Sequence, residues 1–371
     1  MGTNLIKSSC FFEKHRNFHP KRQKRGSPIS LNFATKYQTK LKKILVIRFS
    51  SIGDIVLTTP VIRALKTQEN NEIHILTKEK YKTIFIQNPY VDHIHVLREK
   101  PENTFAELRK ENFDFVVDLH KNLRSFRVKK ALRKPTFSFP KVNLQKWVMV
   151  NFKINKLPKE HIVDRYFRAV KPLNIKNDGK GLDYFIPEKD FVELGQYPLL
   201  QSKRFIAFAI GGQHFTKILP PEKAASIINK LDYPVVLLGG KEDEARAEKI
   251  KATCTHEKIL NACGKLNLHQ SASLIRQSGL VITNDTGLMH IAAAFKKPVI
   301  SIWGNTIPEF GMYPYEPGEE HKVVIAQVEG LKCRPCSKIG FDKCPKGHFR
   351  CMMEQDEDFI VREAKRLLSL K

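Results

Sequence analysis

From Lys43 onward the chain alternates short β-branched runs with amphipathic stretches, and it does so in two series. That pattern restricts the fold to parallel sheets covered by helices. The first series opens with KILVIRF (43–49) and continues with EIHIL (72–76), HIHVL (93–97) and FDFVVDL (113–119), with helices expected over 56–66 and 104–111. The second runs through RFIAFAI (204–210), PVVLLGG (234–240), KILNA (258–262), LVIT (280–283) and PVISIW (298–303), with helices over 221–231, 243–252 and 268–277. Between 171 and 203, Pro172, Gly179, Gly181, Pro187 and Pro198 break the periodicity, as a linker does. The expected organisation is therefore α/β throughout: a first domain over 42–185, a linker at 186–203, a second domain over 204–355 and an amphipathic C-terminal helix over 356–371. A length of 371 residues suits two domains of about 150. Ligands of open α/β sheets sit beyond the carboxyl ends of the strands, so the cleft between the domains is the expected active site.

Charge narrows the partners. Lys and Arg outnumber Asp and Glu by 64 to 38, a net of +26, which calls for an acidic partner: nucleic acid, an anionic membrane surface or a phosphorylated substrate. The excess is uneven, at +23 in residues 1–180 and +3 in 181–371, so the two halves are expected to meet different ligands. No stretch approaches the roughly 18–20 apolar residues of a membrane span. Residues 1–41 read as a basic, disordered extension without a secretory h-region, although a misassigned start codon would produce the same feature. Seven cysteines without an export signal favour a reduced, cytoplasmic setting.

Three segments carry chemistry. RFSSIGDIVLTTPVIRALK (48–66) runs from a strand end through Ser51, Gly53 and Asp54 into a helix. Asp54 is a candidate base facing the cleft; its plain alternative is an N-cap accepting backbone N–H groups. One glycine is not the G-x-G-x-x-G of a dinucleotide-binding turn, which counts against an NAD-dependent dehydrogenase. In IGGQHFTKILPPEKA (210–224), Gly211 and Gly212 expose N–H groups, Gln213 follows, and Lys217 supplies a point charge for phosphate. Its companion LLGGKEDEARA (237–247) places Glu242 at another strand end, where a carboxylate can accept from a ribose hydroxyl; an acidic first turn is also what the helix dipole favours. In LVITNDTGLMHIAAAFKKPVISIWG (280–304), Asp285, Thr286 and Gly287 form a turn into a small-residue helix bearing His290, a seat for a diphosphate. Asp285, itself anionic, is expected to fix the turn or pair with Lys217, and His290 to be a buried, hydrogen-bonded histidine.

Together these segments resemble the glycosyltransferase family 9 heptosyltransferases, which add heptose from ADP-heptose to the inner core of lipopolysaccharide. The resemblance covers about 42 to the C-terminus and is most specific in Ser-Ile-Gly-Asp and Asn-Asp-Thr-Gly-Leu-Met-His, with Gly-Gly-x-x-x-x-Lys between them. It implies a GT-B fold of two Rossmann-like domains, acceptor on the first and nucleotide sugar on the second. It also implies inverting, metal-independent transfer. By the family pattern Asp54 matches the catalytic base, Lys217 the phosphate-contacting lysine, Glu242 the ribose-contacting acid, and Asp285, Thr286, Gly287 and His290 the donor-binding turn. Gly212-Gln213 departs from better-known members, where hydroxyl residues are common, and this bears on phosphate contacts and donor identity.

The residue types suit that chemistry. A carboxylate can take the proton of an attacking sugar hydroxyl, while positive charge and aimed N–H donors stabilise a departing diphosphate. No cofactor is then required, and no Asp-x-Asp pair of the metal-dependent glycosyltransferase type is read in the chain. Within DLHKNLRSFRVKKALRK (118–134), Lys121 and Arg124 lie nearest the strand end; with Ser51 and Gly53 they are the expected contacts of an anionic lipopolysaccharide precursor. Trp147 and the lysine-rich run to Lys159 would suit an anionic membrane surface, placing the protein at the inner face of the inner membrane. Cys333, Cys336, Cys344 and Cys351 would satisfy the tetrahedral preference of a structural Zn²⁺, although their second pair is wider than usual and a reduced, metal-free loop fits as well. The competing reading, a nucleic-acid binder, rests on charge alone. No aromatic-basic recognition motif or DNA-reading zinc finger is present, so no nucleic-acid partner is expected.

Overall fold

The structure, a computed structural model, describes residues 41–201, 204–255 and 257–370; the basic extension expected over 1–41 lies outside the described residues apart from Leu41. The first sheet contains β1 (Lys43–Ile47), β2 (Glu72–Thr77), β3 (His93–Val96), β4 (Phe115–Asp118) and β5 (Thr136–Ser138) in the order β3-β2-β1-β4-β5. All neighbours are parallel. Its helices are α1 (Ile52–Val56), α2 (Thr59–Glu69), α3 (Pro101–Lys110), α4 (Leu123–Leu132), α5 (Asn143–Phe152) and α6 (Ile162–Val170). After Lys43, β1 is apolar because both faces are covered: Ile44 and Val46 enter one core cluster, Leu45 and Ile47 the other.

One expected helix is two. Pro60 has no N–H to continue a helix begun at Ile52, so the chain breaks after α1 and restarts with Pro60 in the first turn of α2. The Thr58 and Thr59 hydroxyls donate to the carbonyls of Ile55 and Val56 at 2.7 and 2.8 Å and satisfy the carbonyls that the break exposes.

Short 3₁₀ turns occupy the connection from Lys171 to Leu200. It is pinned, since buried Arg63 of α2 donates to Asp178, Asp183 and the Gly181 carbonyl. The second sheet holds β6 (Ile206–Ala209), β7 (Val235–Leu238), β8 (Ile259–Asn261), β9 (Leu280–Asn284), β10 (Val299–Trp303) and β11 (Val323–Gln327) in the order β11-β10-β9-β6-β7-β8, again parallel. Its helices are α7 (Pro221–Asn229), α8 (Glu244–Thr253), α9 (Leu268–Gln277), α10 (Gly287–Ala294), α11 (Arg350–Met353) and α12 (Glu357–Ser369). The C-terminal helix α12 buries Ile360, Val361, Ala364 and Leu367 in the core of this second sheet.

Candidate active site

In the first sheet the chain order reverses between β1 and β4, and in the second between β6 and β9. These are topological switch points, where open parallel sheets form their ligand crevices. The segments singled out in the sequence leave from the carboxyl ends of these four strands and of β7.

Beyond β1, Ser51 is the N-cap of α1 and Asp54 its third residue, so the simple N-cap reading of Asp54 is corrected. Asp54 Oδ2 accepts from the Ser51 hydroxyl at 3.0 Å and from the Ser51 N–H at 3.3 Å. Its Oδ1 pairs with Nη2 of Arg48 at 2.6 Å. Arg48, the residue after β1, is buried and also donates to the carbonyls of Ser50 and Leu119 and to the Tyr166 hydroxyl. Burial works against the Asp54 charge, yet Arg48 and the Ser51 donors outweigh it and hold the carboxyl below its usual range. His120, edge-on to Phe49, is pushed down to about 4, by burial first and then by Arg48.

Beyond β9, Thr286 caps α10 and Gly287 begins it. Asp285 Oδ2 accepts from Lys217 Nζ at 2.5 Å and from the Thr306 hydroxyl at 2.9 Å. Asn284 joins the two turns, donating to the Ile210 and Gly211 carbonyls and accepting from the Leu219 N–H. A Cβ on Gly211 would lie 2.2 Å from Asp243 Oδ2 and displace that carboxylate, and one on Gly212 would lie 2.9 Å from Ile218 Cγ1. Asp243 is structural: it accepts from the Gly240 N–H and pairs with Arg246. Glu242 and Gln213 are exposed and without a side-chain partner among the described residues.

The two turns meet. A Cβ on Gly53 would lie 2.5 Å from His290 Cδ2 and 3.3 Å from the Gly287 Cα, while one on Gly287 would strike Ile52 at 2.9 Å. Only glycine at both positions lets α1 and α10 touch, and this contact brings Asp54 beside the Asp285–Gly287 turn. His290 is buried but not hydrogen-bonded as expected: its Nδ1 has no partner among the described residues. Burial pushes it down to about 4 although Asp285 and Asp54 both favour its charge, so it is a neutral wedge between two carboxylates.

The basic residues beyond β4 divide. Lys121, at φ 52°, donates through Nζ to the Phe139 carbonyl at 3.0 Å. Arg124 is exposed on the first turn of α4, and its side chain makes no hydrogen bond or ion pair among the described residues. Lys146 does not stand out in the sequence. It lies 5.0 Å above the Phe310 ring and is pushed down to about 8 by burial and Arg165, against the pull of Asp54 and Asp285. No motif spacing marks it, because α5 reaches the crevice only through the tertiary fold. Thr306 escapes sequence reasoning for the same reason, whereas Arg48 stands in plain view three residues before Ser51.

Among the described residues no three of the four late cysteines form a group with ligand atoms within 4.8 Å of one another; Cys336 and Cys351 are pushed up to about 11 and about 12, by burial first and then by neighbouring cysteines of the set. The absence of an Asp-x-Asp pair is corrected, since Asp356-Glu357-Asp358 is such a triplet. It opens α12, where Asp356 accepts from the Phe359 N–H and the next two residues pair with Lys223 and Lys230 of the α7 region.

Two parallel α/β sheets with opposed switch-point crevices define the GT-B fold. The profile of "Glycosyltransferase family 9 (heptosyltransferase)" matches residues 103–340. The chain belongs to that family and is a heptosyl-type glycosyltransferase. It is 28% identical over 288 residues to the lipopolysaccharide heptosyltransferase 1 of Campylobacter coli, covering 71% of this chain and 84% of the relative. It shares its fold with a family 9 glycosyltransferase from Veillonella parvula (TM-score 0.71, 23% identity, 88% and 97% of the two chains). It likewise matches the E. coli ADP-heptose lipopolysaccharide heptosyltransferase II (TM-score 0.67, 21% identity, 88% and 98%).

Proposed function

We propose that the enzyme transfers heptose from ADP-heptose to the Kdo–lipid A inner core of lipopolysaccharide, inverting the anomeric centre and using no catalytic metal. The observation that carries this is the Gly53–Gly287 contact, which sets a paired carboxylate beside a lysine-bearing donor turn. The acceptor hydroxyl attacks the anomeric carbon from the face opposite ADP, its proton passes to Asp54, and the bond to the diphosphate breaks with its electron pair on the phosphate oxygen. Lys217 and the first N–H groups of α10 meet that charge. Thr306 keeps Asp285 in place when Lys217 turns from it to the diphosphate. The test is release of the matching nucleoside diphosphate from a panel of nucleotide sugars on a Kdo–lipid A acceptor, with and without EDTA. Release from ADP-heptose unaffected by EDTA is expected; loss in EDTA at an unchanged melting temperature would overturn the metal-free mechanism, and a preference for another sugar would reassign the donor.

Lys146 adds a pH signature. Its free-enzyme value of about 8 means its charge is present below that pH and lost above it. If it steadies an anionic substrate, kcat/KM should fall above about pH 8 while kcat, which reports the loaded enzyme, falls later. A Lys146→Met variant should lose that alkaline limb; an unchanged profile would remove Lys146 from the binding site.

The excess charge of the first half finds a use in the same reading. Among the described residues no helix is long and apolar enough to cross a membrane. Helix α5 buries no residue fully and leaves Leu144, Trp147 and Phe152 exposed, with Lys156 and Lys159 following. We place this face on the anionic inner surface of the inner membrane, where aromatic and basic residues act together. Vesicles containing anionic lipid should bind the enzyme in a salt-sensitive manner and zwitterionic ones should not. A Trp147→Ser/Phe152→Ser variant that floats as well as the parent would refute it.

A further inference from the structure

A second cluster of ligating side chains lies at the far end of the first sheet, where β1, β2 and β3 begin. Parallel register sets Lys43 opposite Glu72, Leu45 opposite His74, and His74 opposite His93, with His95 one step further along the same face. His74 Nε2 and His93 Nε2 lie 2.9 and 3.4 Å from the same atom, Glu72 Oε1. The other nitrogen of His74, Nδ1, is 2.9 Å from His95 Nε2. Two sets of three ligating atoms, Glu72/His74/His93 and His74/His95/Glu111, each fall within 4.8 Å of one another.

We propose that Glu72 Oε1, His74 Nε2 and His93 Nε2 bind one divalent transition-metal ion of the Zn²⁺ type, which staples the edge strand β3 to β2. Bonds of about 2.0–2.2 Å in a tetrahedral site space ligand atoms about 3.3 Å apart, and the two separations from Glu72 Oε1, 2.9 and 3.4 Å, bracket that value. Two imidazoles and a carboxylate suit Zn²⁺, Ni²⁺ or Cu²⁺ rather than Mg²⁺ or Ca²⁺. With the ion on Nε2, His74 carries its proton on Nδ1 and donates it to His95, which lies in one set with Glu111. This is the outer hydrogen bonding that orients metal-bound histidines. Phe113 packs edge-on against His74 and walls one side, while His93, 56% exposed in its side chain, leaves a way in. Without an ion, Lys43 Nζ sits 3.4 Å from Glu72 Oε1 and 3.3 Å from Glu111 Oε2. The ammonium and the ion therefore compete for Glu72.

Titration of the full chain with Co²⁺, followed by visible absorption, tests this. A component without sulfur-to-cobalt charge transfer is expected, at least tenfold weaker in His93→Ala and in Glu72→Gln, and tighter in Lys43→Met. His95→Phe should cost about 10–100-fold. A thermal midpoint raised by Zn²⁺ in the parent but not in His93→Ala would agree. Co²⁺ held by the four late cysteines would show its charge-transfer band in every one of these variants and is thereby separated. Cobalt binding unchanged in both His93→Ala and Glu72→Gln, or found only with sulfur bands, overturns the proposal.

Discussion

Replacing Asp54 with asparagine should lower kcat by about 10²–10⁴-fold, the usual contribution of a positioned general base, with little change in donor affinity. The amide keeps the shape and can still accept from the Ser51 N–H and hydroxyl, so α1 keeps its cap. What disappears is the charge that takes the acceptor's proton. Arg48 keeps its bonds to two carbonyls and the Tyr166 hydroxyl through Nε and Nη1, which holds the turn, while its Nη2 loses the Asp54 carboxylate, so some stability is lost as well. A falling kcat at constant donor Kd, measured by calorimetry, is the signature of an interaction made in the transition state. The parent's acid limb follows from the same pairing. Because the folded carboxyl lies below its usual range, the base stays ionised as the pH falls, and activity fails only below that depressed value. The pair also stabilises the fold above the unfolded-state value of about 3.9, a contribution lost as the pH falls through the folded one. Unchanged turnover in Asp54→Asn would end the assignment.

Much of this site is legible in the chain, and the physical reason is topological. Residues that follow a central strand of a parallel sheet must emerge at the switch point, so a motif that ends such a strand is already a site motif in the sequence. That is why Asp54, Lys217 and Asp285 are visible there. Lys146 is not, since an exposed-looking lysine on a short helix becomes a crevice residue only through packing. The central strands are legible because both faces are buried; β5 escapes because it is only three residues long and β11 because it is buried only on alternate residues, whereas the other edge strands, β3 and β8, keep a β-branched run. The histidines of EIHIL and HIHVL are equally in view, but that they face one another is a fact of register, which neither run contains by itself.

Removing the Lys217 ammonium with methionine should cost about 10²–10³-fold in kcat, the scale of losing one group aimed at developing negative charge. The substitution alone is ambiguous, because Lys217 is also the counter-ion of Asp285. Without it a largely buried carboxylate keeps only the Thr306 hydroxyl, and stability falls along with activity, as it does when one partner of a buried pair is removed. Adding Asp285→Asn separates the two roles. The double variant no longer carries the unpaired charge, so its melting temperature should return toward that of the parent. If Lys217 acts on the diphosphate, its kcat should stay low, because neutralising Asp285 restores no cation at the leaving group. Asp285→Asn by itself should then be the mildest of the three, since it frees Lys217 to face the phosphate. A double variant that regained both stability and turnover would make Lys217 a structural counter-ion, and would leave the N–H groups of α10 as the principal stabilisers of the departing ADP.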